Sequence, residues 1–136
     1  MVLDNTILVH ALIVGPRTDL AREVLIRDPD WAMPVLWRSE FLNVLATYAR
    51  LGGLPEKECQ RLWALAVNLF EPAERPVDLA AALALAIRHS LSAYDAQYVE
   101  LARTLGTRLV TEDRELLRKL PDLAWSMEAF CNGPGR

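Results

Sequence analysis

A chain of 136 residues is long enough for one domain with a buried core, and its 52% hydrophobic and 24% charged residues exclude an intrinsically disordered protein. A net charge of -3 excludes a uniformly basic nucleic-acid-binding surface, although most of the 15 basic residues are arginines, which suit local phosphate contacts. The longest apolar run, Leu79 to Ile87, is too short for a transmembrane helix, and the first residues carry no export signal, so we expect a cytoplasmic protein.

Hydrophobic periodicity and helix-end residues predict an alternation of strands and helices along the whole chain. Gly15, Gly52 and Gly106 mark helix ends, and Asp78 and Ser92 are expected to cap helix starts. In chain order we predict a strand at 2–4, helices at 7–12 and 18–28, a strand at 31–33, helices at 36–51 and 55–69, an edge strand within 70–77, helices at 78–89 and 92–105, a strand at 108–110, a helix at 113–120 and a strand at 124–127.

Helices between consecutive strands imply parallel crossover connections and a sheet that is covered on both faces. We therefore predict an α/β fold, a three-layer α/β/α sandwich with a mainly parallel five-stranded sheet. Residues 1–130 should form one domain, and residues 131–136 should form a flexible tail because they are polar and rich in glycine. Cys59 and Cys131 lie far apart and lack metal-ligand spacing, so we expect reduced, structural cysteines.

Three aspartates stand at the heads of apolar helical stripes. Apolar residues follow Asp4, Asp95 and Asp113 at the third, fourth and seventh positions, which is the spacing of one helix face. Asp4 and Asp113 also lie at strand-to-helix junctions, where α/β sheets bind their ligands. Carboxylates that lie close together repel each other, and a divalent cation that prefers oxygen ligands relieves this conflict. Glu40, on the polar stripe of another predicted helix, can face the same cleft.

Each of these acids also has a simpler explanation. Aspartate at a helix start is favoured because it caps the helix and interacts well with the helix dipole. The segment from Ser92 to Asp95 resembles a capping box, and Glu40 alone is consistent with a solvated surface acid. Taken singly, none of the four acids identifies an active site.

The segment SAYDAQYVELA at 92–102, followed by LVTED at 109–113, resembles the signature of the PIN domain family. In that family an aspartate heads the helix of a YDAxYVxLA segment, a later strand ends in Thr-x-Asp, and a first aspartate follows the opening strand. The matching positions in this chain are Asp95, Asp113 and Asp4.

The resemblance extends over essentially residues 1–130. The segment PVLWRSEFLNVL at 34–45 matches the family's glutamate-bearing helix, so Glu40 takes the place of the fourth acid. Thr6 and Thr111 also fit family positions, and both are expected to support the site through hydrogen bonds. Either threonine could equally satisfy a local backbone group.

The resemblance implies an endoribonuclease in which Asp4, Glu40, Asp95 and Asp113 hold one or two Mg²⁺ or Mn²⁺ ions at a scissile RNA phosphate. The small size resembles the VapC-type toxins of type II toxin–antitoxin pairs. Solitary PIN-domain RNA-processing nucleases and catalytically inactive PIN-like binding modules remain alternatives. For the VapC type, the resemblance implies tRNA or rRNA as substrate, a cognate antitoxin and a homodimer.

Several other residues have alternative interpretations. His10 and His89 could form an acid–base pair, but the first lies in an apolar run and the second at a helix end. A response-regulator receiver would need two adjacent early acids with a late lysine, and that arrangement is not apparent. A nucleotide-binding domain would need a glycine-rich phosphate loop, which the sequence lacks.

Arginine and tryptophan residues are weaker candidates for contacts with RNA or with a second copy of the chain. Arg17, Arg38 and Arg114 lie near the predicted acidic junctions and could contact RNA. Trp37 and Trp63 belong either to the core or to a dimer surface, and the sequence does not choose between these positions.

Overall fold

The computed structural model describes residues 1–133 and contains three short strands and eight α-helices in that range. The strands are β1 (Val2–Leu3), β2 (Leu109–Val110) and β3 (Ala124–Trp125). The helices are α1 (Asn5–Leu12), α2 (Thr18–Arg27), α3 (Trp37–Gly52), α4 (Glu56–Phe70), α5 (Leu79–His89), α6 (Ala93–Leu105), α7 (Arg114–Lys119) and α8 (Met127–Asn132). No helix in this part of the chain has the length and apolarity needed to cross a membrane.

The sheet is parallel, and β2 lies at its centre between β1 and β3. Beyond β1, two isolated parallel bridges join Val2 to Ala32 and Met33 to Glu74. Because a parallel sheet needs crossover connections, helices connect its members and cover both faces. The predicted α/β class with a parallel sheet between helices is therefore confirmed.

The predicted count of five strands is not confirmed, because the segments at 31–33 and 70–77 form single bridges instead of regular strands. Pro34 directly follows the first segment, and proline has no N–H for a strand ladder. In the second segment, residues 71–73 form a 3-10 turn, and Pro76 lies just beyond the bridge at Glu74. Proline and the tight turn therefore limit both segments to local pairing.

The sheet separates two hydrophobic cores. Leu3 and Val110 belong to one core, whereas Val2 and Leu109 belong to the other, because side chains alternate between the faces of a strand. The first core contains residues of α1, α2, α3, α4 and α8, and the second contains residues of α5, α6 and α7. This arrangement places the carboxyl ends of β1 and β2 side by side, at the positions where the predicted acids follow.

The last described helix differs from the prediction. Cys131 is buried in α8, so the predicted flexible tail does not begin there, and the last three residues of that tail lie outside the described residues. The Ser126 hydroxyl caps α8 by accepting a hydrogen bond from the Ala129 amide at 3.1 Å. Met127 and Cys131 are four residues apart and therefore share the face that packs into the first core.

Aromatic and sulfur-containing side chains fill much of the first core. Trp37 is fully buried, and Trp63 packs against it with ring centroids 5.8 Å apart. Trp37 is therefore a core residue and cannot form a dimer surface, whereas Trp63 is half-buried. Cys59 and Cys131 are both free thiols, in agreement with the predicted structural cysteines.

The buried position of Met127 predicts a large loss of stability in Met127→Ala. Removing a fully buried methionine leaves a cavity, so we expect the free energy of unfolding to fall by about 2–4 kcal/mol in urea denaturation. Asn132→Ala, an exposed position on the same helix, should change it by less than about 0.5 kcal/mol. Equal stability of the two variants would show that α8 does not pack into the core.

Candidate active site

Asp4 is a buried carboxylate at the end of β1, with only 5% of its surface exposed. Its Oδ1 accepts a hydrogen bond from the Asn5 amide at 2.9 Å and so caps α1. Its Oδ2 accepts hydrogen bonds from the hydroxyls of Thr6 at 2.9 Å and Thr111 at 2.7 Å. Burial raises the pKa of Asp4 despite these three bonds, and the nearby Asp113 raises it further.

The two threonines hold Asp4 against the end of β2. The Thr6 hydroxyl accepts a hydrogen bond from the Glu112 amide at 3.2 Å, and the Thr111 hydroxyl accepts one from the Asp113 amide at 3.0 Å. Each hydroxyl thus donates a hydrogen bond to Asp4 and accepts a hydrogen bond from a backbone amide of the segment after β2. The two side chains that the sequence assigns a supporting place do contact Asp4, and they fix both its orientation and its distance from Asp113.

Glu40 approaches from α3 and is held by a tyrosine of α6. The buried Tyr98 hydroxyl donates a hydrogen bond to Glu40 Oε1 at 2.6 Å. Burial raises the pKa of Glu40, the bond from Tyr98 opposes this rise, and repulsion from Asp4 and Asp95 adds to it. The sequence analysis missed this role of Tyr98. Its spacing of three residues from Asp95, which places both on one helix face, was the available signal.

Asp95 lies in the first turn of α6 but does not cap the helix. The cap is Ser92, whose hydroxyl accepts a hydrogen bond from the Asp95 amide at 3.0 Å. Burial, followed by repulsion from Asp4 and then from Asp113, raises the pKa of the Asp95 carboxyl to about 6. Capping therefore does not explain this carboxylate, and its surroundings disfavour its charge.

Asp113 does cap a helix, as its simpler explanation predicts. Its Oδ1 accepts hydrogen bonds from the amides of Glu115 at 2.8 Å and Leu116 at 3.1 Å at the start of α7. Both bonds use Oδ1, so Oδ2 can serve another partner. Its charge also raises the pKa of both Asp4 and Asp95. Capping and membership of the acidic group are therefore compatible at this residue.

The four predicted acids form one electrostatically coupled group, defined here as the acidic cluster: Asp4, Glu40, Asp95 and Asp113. Within residues 1–133, no three acid, histidine or cysteine side chains are already close enough to enclose an ion. The donor set nevertheless fits a hard divalent cation, because it consists of carboxylate oxygens, and burial and mutual repulsion raise the pKa values of Asp4, Glu40 and Asp95. The amide oxygen of Asn5, next to Asp4 in the chain, is also buried without a hydrogen-bond partner in the described structure.

Comparisons with known proteins show the family of this chain. A family model described as the PIN domain matches residues 1–123. The chain belongs to the PIN domain family. It is similar to Ribonuclease VapC3 of Pyrobaculum aerophilum, with 32% identity over 129 residues that cover 90% of this chain and 96% of that protein.

Two further matches come from the same organism. Exonuclease VapC9 of Pyrobaculum aerophilum is 38% identical over 77 residues, which cover 57% of this PIN domain chain and 57% of that protein. The crystal structure of PAE2754 from Pyrobaculum aerophilum superposes with a TM-score of 0.77 at 26% identity and covers 96% of this chain and 92% of that one. The similarity therefore extends over nearly the whole fold.

Two of the arginines that the sequence suggested for RNA contacts are engaged elsewhere in this PIN domain. Arg17 pairs with Glu112, whose other oxygen accepts a hydrogen bond from the Met127 amide at 3.1 Å. Arg38 pairs with Glu74, and its guanidinium also contacts Glu71. Glu112 lies between Thr111 and Asp113 in the sequence, yet its side chain forms the ion pair with Arg17.

The sequence also suggested Arg114 for an RNA contact and His10 and His89 as an acid–base pair. Arg114 is exposed, directly follows Asp113 in the chain, and remains a candidate for a phosphate contact. His10 is half-buried near Arg17, and burial lowers its pKa, so protonation of this imidazole is disfavoured. Neither His10 nor His89 is among the groups that shift the pKa of Asp4, Glu40 or Asp95.

The raised pKa of Asp95 predicts that Asp95→Asn stabilises the metal-free protein at neutral pH. The folded state holds this proton more tightly than the unfolded state, so the free energy of unfolding falls as pH rises from about 4 to above 6. In EDTA at pH 7.5, Asp95→Asn should gain about 1–2 kcal/mol in urea denaturation, once solvent screening of a partly exposed side chain is allowed for.

Asp19→Asn is the matched control for that measurement, because Asp19 is an exposed aspartate in the first turn of α2. Asp19→Asn also loses a favourable interaction with the helix dipole, but Asp19 does not belong to the acidic cluster. The gain of Asp95→Asn should disappear at pH 4, where the wild-type carboxyl is already protonated in the fold. A gain at neutral pH no greater than that of the control would contradict the electrostatic coupling.

Tyr98→Phe should raise the pKa of Glu40, because the hydroxyl favours the ionised carboxylate. The change is measured by ¹³C NMR titration of the Glu40 carboxyl carbon, and the free energy of unfolding at neutral pH should fall by about 1–2 kcal/mol. Tyr94→Phe, at an exposed position on the same helix, should leave both quantities unchanged. An unaltered Glu40 titration in Tyr98→Phe would refute the positioning role of Tyr98.

Proposed function

We propose that this PIN domain is a divalent-metal-dependent endoribonuclease and the toxin of a toxin–antitoxin pair. The observation that carries the proposal is the convergence of four electrostatically coupled acids on the buried Asp4, at the carboxyl ends of β1 and β2. The names of two relatives, Ribonuclease VapC3 and Exonuclease VapC9, support nuclease chemistry.

In this proposal Asp4, Glu40, Asp95 and Asp113 hold one or two Mg²⁺ or Mn²⁺ ions. Bound there, such an ion would activate a water molecule and neutralise charge on a scissile phosphate. Without a cation the cluster would repel a phosphodiester, because both carry negative charge. The acids therefore need the ion both for their own stability and for binding of substrate.

The surrounding residues prepare the acids for that task. Thr6 and Thr111 fix the carboxylate plane of Asp4, so this side chain needs little reordering when a cation binds. Tyr98 favours the charged form of Glu40, which is the form that can act as a ligand. The Oδ1 of Asp113 is committed to capping α7, so its Oδ2 is the oxygen available to a cation.

The substrate we propose is single-stranded or looped RNA, with tRNA or rRNA as the class implied for VapC-type proteins, and the products carry 5′-phosphates. Arg114, which is exposed and directly follows Asp113, is the arginine that we propose for a phosphate contact. The partner we propose is an antitoxin whose C-terminal segment crosses the acidic cluster and brings Arg or Lys to it. A homodimer in the cytoplasm completes the proposal, and an exposed apolar face on α5 supports it.

RNA cleavage tests the proposed function directly. Mg²⁺ or Mn²⁺ should support cleavage, EDTA should abolish it, and Asp4→Asn and Asp95→Asn should each lower the rate at least about 100-fold. Asp19→Asn should cleave like the wild type. A circular RNA substrate separates endonuclease from exonuclease activity, because it has no ends.

Three results would redirect the proposal. Unchanged cleavage in Asp4→Asn, or in EDTA, would reject the acidic cluster as the catalytic metal site. RNA binding without cleavage under every metal condition would favour an inactive PIN-like binding module. Cleavage by a protein whose gene has no neighbouring antitoxin gene would favour a solitary RNA-processing nuclease.

A further inference from the structure

Lys119 links the end of α7 to the turn between α5 and α6. Its Nζ donates a hydrogen bond to the backbone carbonyl oxygen of Ser90 at 2.8 Å. The same ammonium group lies 3.6 Å from Glu115 Oε2, and the side chain is only 23% exposed. Because Ser90 and Lys119 are 29 positions apart in the chain, this hydrogen bond is a tertiary contact that local helix geometry does not require.

The turn that Lys119 contacts has a strained backbone. Ser90 ends α5 with a φ of 54°, and it is the only residue other than glycine with a positive φ in the described part of the chain. Such a conformation is disfavoured for residues with a side chain, so it persists only where surrounding contacts hold it. The Leu91 amide supplies one contact by donating to the Ala86 carbonyl at 3.0 Å, and Lys119 supplies another from a different helix.

The same turn leads directly to Asp95. Ser92 caps α6, and its hydroxyl accepts the hydrogen bond from the Asp95 amide at 3.0 Å. Ser90 lies two residues before this cap. A shift of Ser90 would therefore move the first turn of α6 and change where the Asp95 carboxylate lies.

Helix α7 carries a second acid of the cluster at its opposite end. Asp113 caps the start of α7, and Lys119 is the last of its six residues, so the two ends lie about 9 Å apart. Leu116, in the middle of α7, is fully buried in the second core together with residues of α6. One short helix, fixed by the core, therefore contacts both the segment that holds Asp113 and the turn that precedes Asp95.

The charge of Lys119 also acts on the acidic cluster. Burial and the charges of Asp4 and Asp113 raise the pKa of Asp95, whereas the positive charge of Lys119 lowers it. Within residues 1–133, Lys119 is the only lysine or arginine among the main groups that shift the pKa values of Asp4, Glu40 and Asp95. The ammonium group is thus close enough to the cluster for its loss to have a measurable electrostatic effect there.

We propose that Lys119 is a positioning residue of the active site, which holds the turn at Ser90 and thereby fixes Asp95 relative to Asp113. The inference rests on the proposed function, because the separation of these two acids matters for the cation that both are proposed to hold. Groups that orient metal ligands change the metal affinity although they do not touch the metal. A lysine that only stabilised the ends of α5 and α7 would affect the stability of the fold and leave the ligand geometry unchanged.

Binding of Mn²⁺ to Lys119→Met separates positioning from simple electrostatics, because the two effects have opposite signs. Loss of a positive charge near the acids should by itself tighten the binding of a cation. Loss of the contact with Ser90 should weaken it, and we expect the dissociation constant for Mn²⁺ in isothermal titration calorimetry to rise at least about tenfold. Lys119→Arg keeps the charge and a donor for the Ser90 carbonyl, so it should bind Mn²⁺ like the wild type.

Arg118→Met is the matched control, because it removes a positive charge from the neighbouring position of α7. Arg118 is exposed and pairs with Glu115 on the surface, so its loss leaves the turn at Ser90 in place. Arg118→Met should bind Mn²⁺ at least as tightly as the wild type. A Lys119→Met protein that binds Mn²⁺ as tightly as this control would overturn the inference.

Ser90→Gly separates positioning from global stability. Glycine adopts a φ of 54° without strain, so Ser90→Gly combined with Lys119→Met should recover the urea midpoint that Lys119→Met alone loses. The affinity of the double variant for Mn²⁺ should stay low, because the contact between α7 and the turn is still absent. Recovery of the affinity together with the midpoint would show a purely structural lysine and overturn the inference.

Hydrogen exchange of the Asp95 amide tests the positioning without metal or RNA. In metal-free Lys119→Met this amide should exchange at least about tenfold faster, because its bond to the Ser92 hydroxyl opens more often, whereas Arg118→Met should leave the rate unchanged. Equal exchange in the two variants would overturn the inference. A wild type that binds no Mn²⁺ would instead reject the proposed metal site, and the exchange rates would still decide whether Lys119 holds Asp95 in place.

Discussion

A carboxylate kept away from solvent at the end of β1 is the constraint on which the site of this PIN domain depends. Asp4 is paired with no cation in the described structure; instead it accepts three hydrogen bonds from Asn5, Thr6 and Thr111. These bonds fix its geometry without removing the cost of its charge, because burial still raises its pKa. Every other acid of the cluster is then added to an already unfavourable electrostatic environment.

The fold explains how acids far apart in the sequence share this environment. The parallel pairing of β1 with β2 sets Asp4 beside the segment that carries Asp113, and the Tyr98 bond to Glu40 ties α3 to α6. The two cores pack helices against both faces of the sheet and hold in place the backbone elements that carry the acids. Burial and repulsion therefore raise the pKa values of Asp4, Glu40 and Asp95, and a divalent cation is suited to stabilise their charged forms.

Local signals in the sequence predicted the fold class, since helix caps, glycine ends and apolar stripes act over a few residues. The grouping of the four acids was predicted only from the resemblance to the PIN domain family. The segments around Met33 and Glu74 could not be recognised as isolated bridges, because their pairing depends on distant partners and on nearby prolines. Helix α8 was missed because Met127 was predicted to end a strand and the residues from Cys131 onward were predicted to form a polar tail. Only packing into the first core shows that Met127 and Cys131 share one helix face. The engagement of Arg17 by Glu112 is likewise a long-range contact without a local signal.

The claim that the four acids act together on one cation is tested most directly by anomalous X-ray scattering from a crystal soaked with Mn²⁺. A strong manganese peak should appear at about 2.0–2.3 Å from a carboxylate oxygen of Asp4 and from at least one of Glu40, Asp95 and Asp113, and it should vanish in Asp4→Asn. Saturating Mn²⁺ that yields no peak there, or a peak bound only by other residues, would contradict the account.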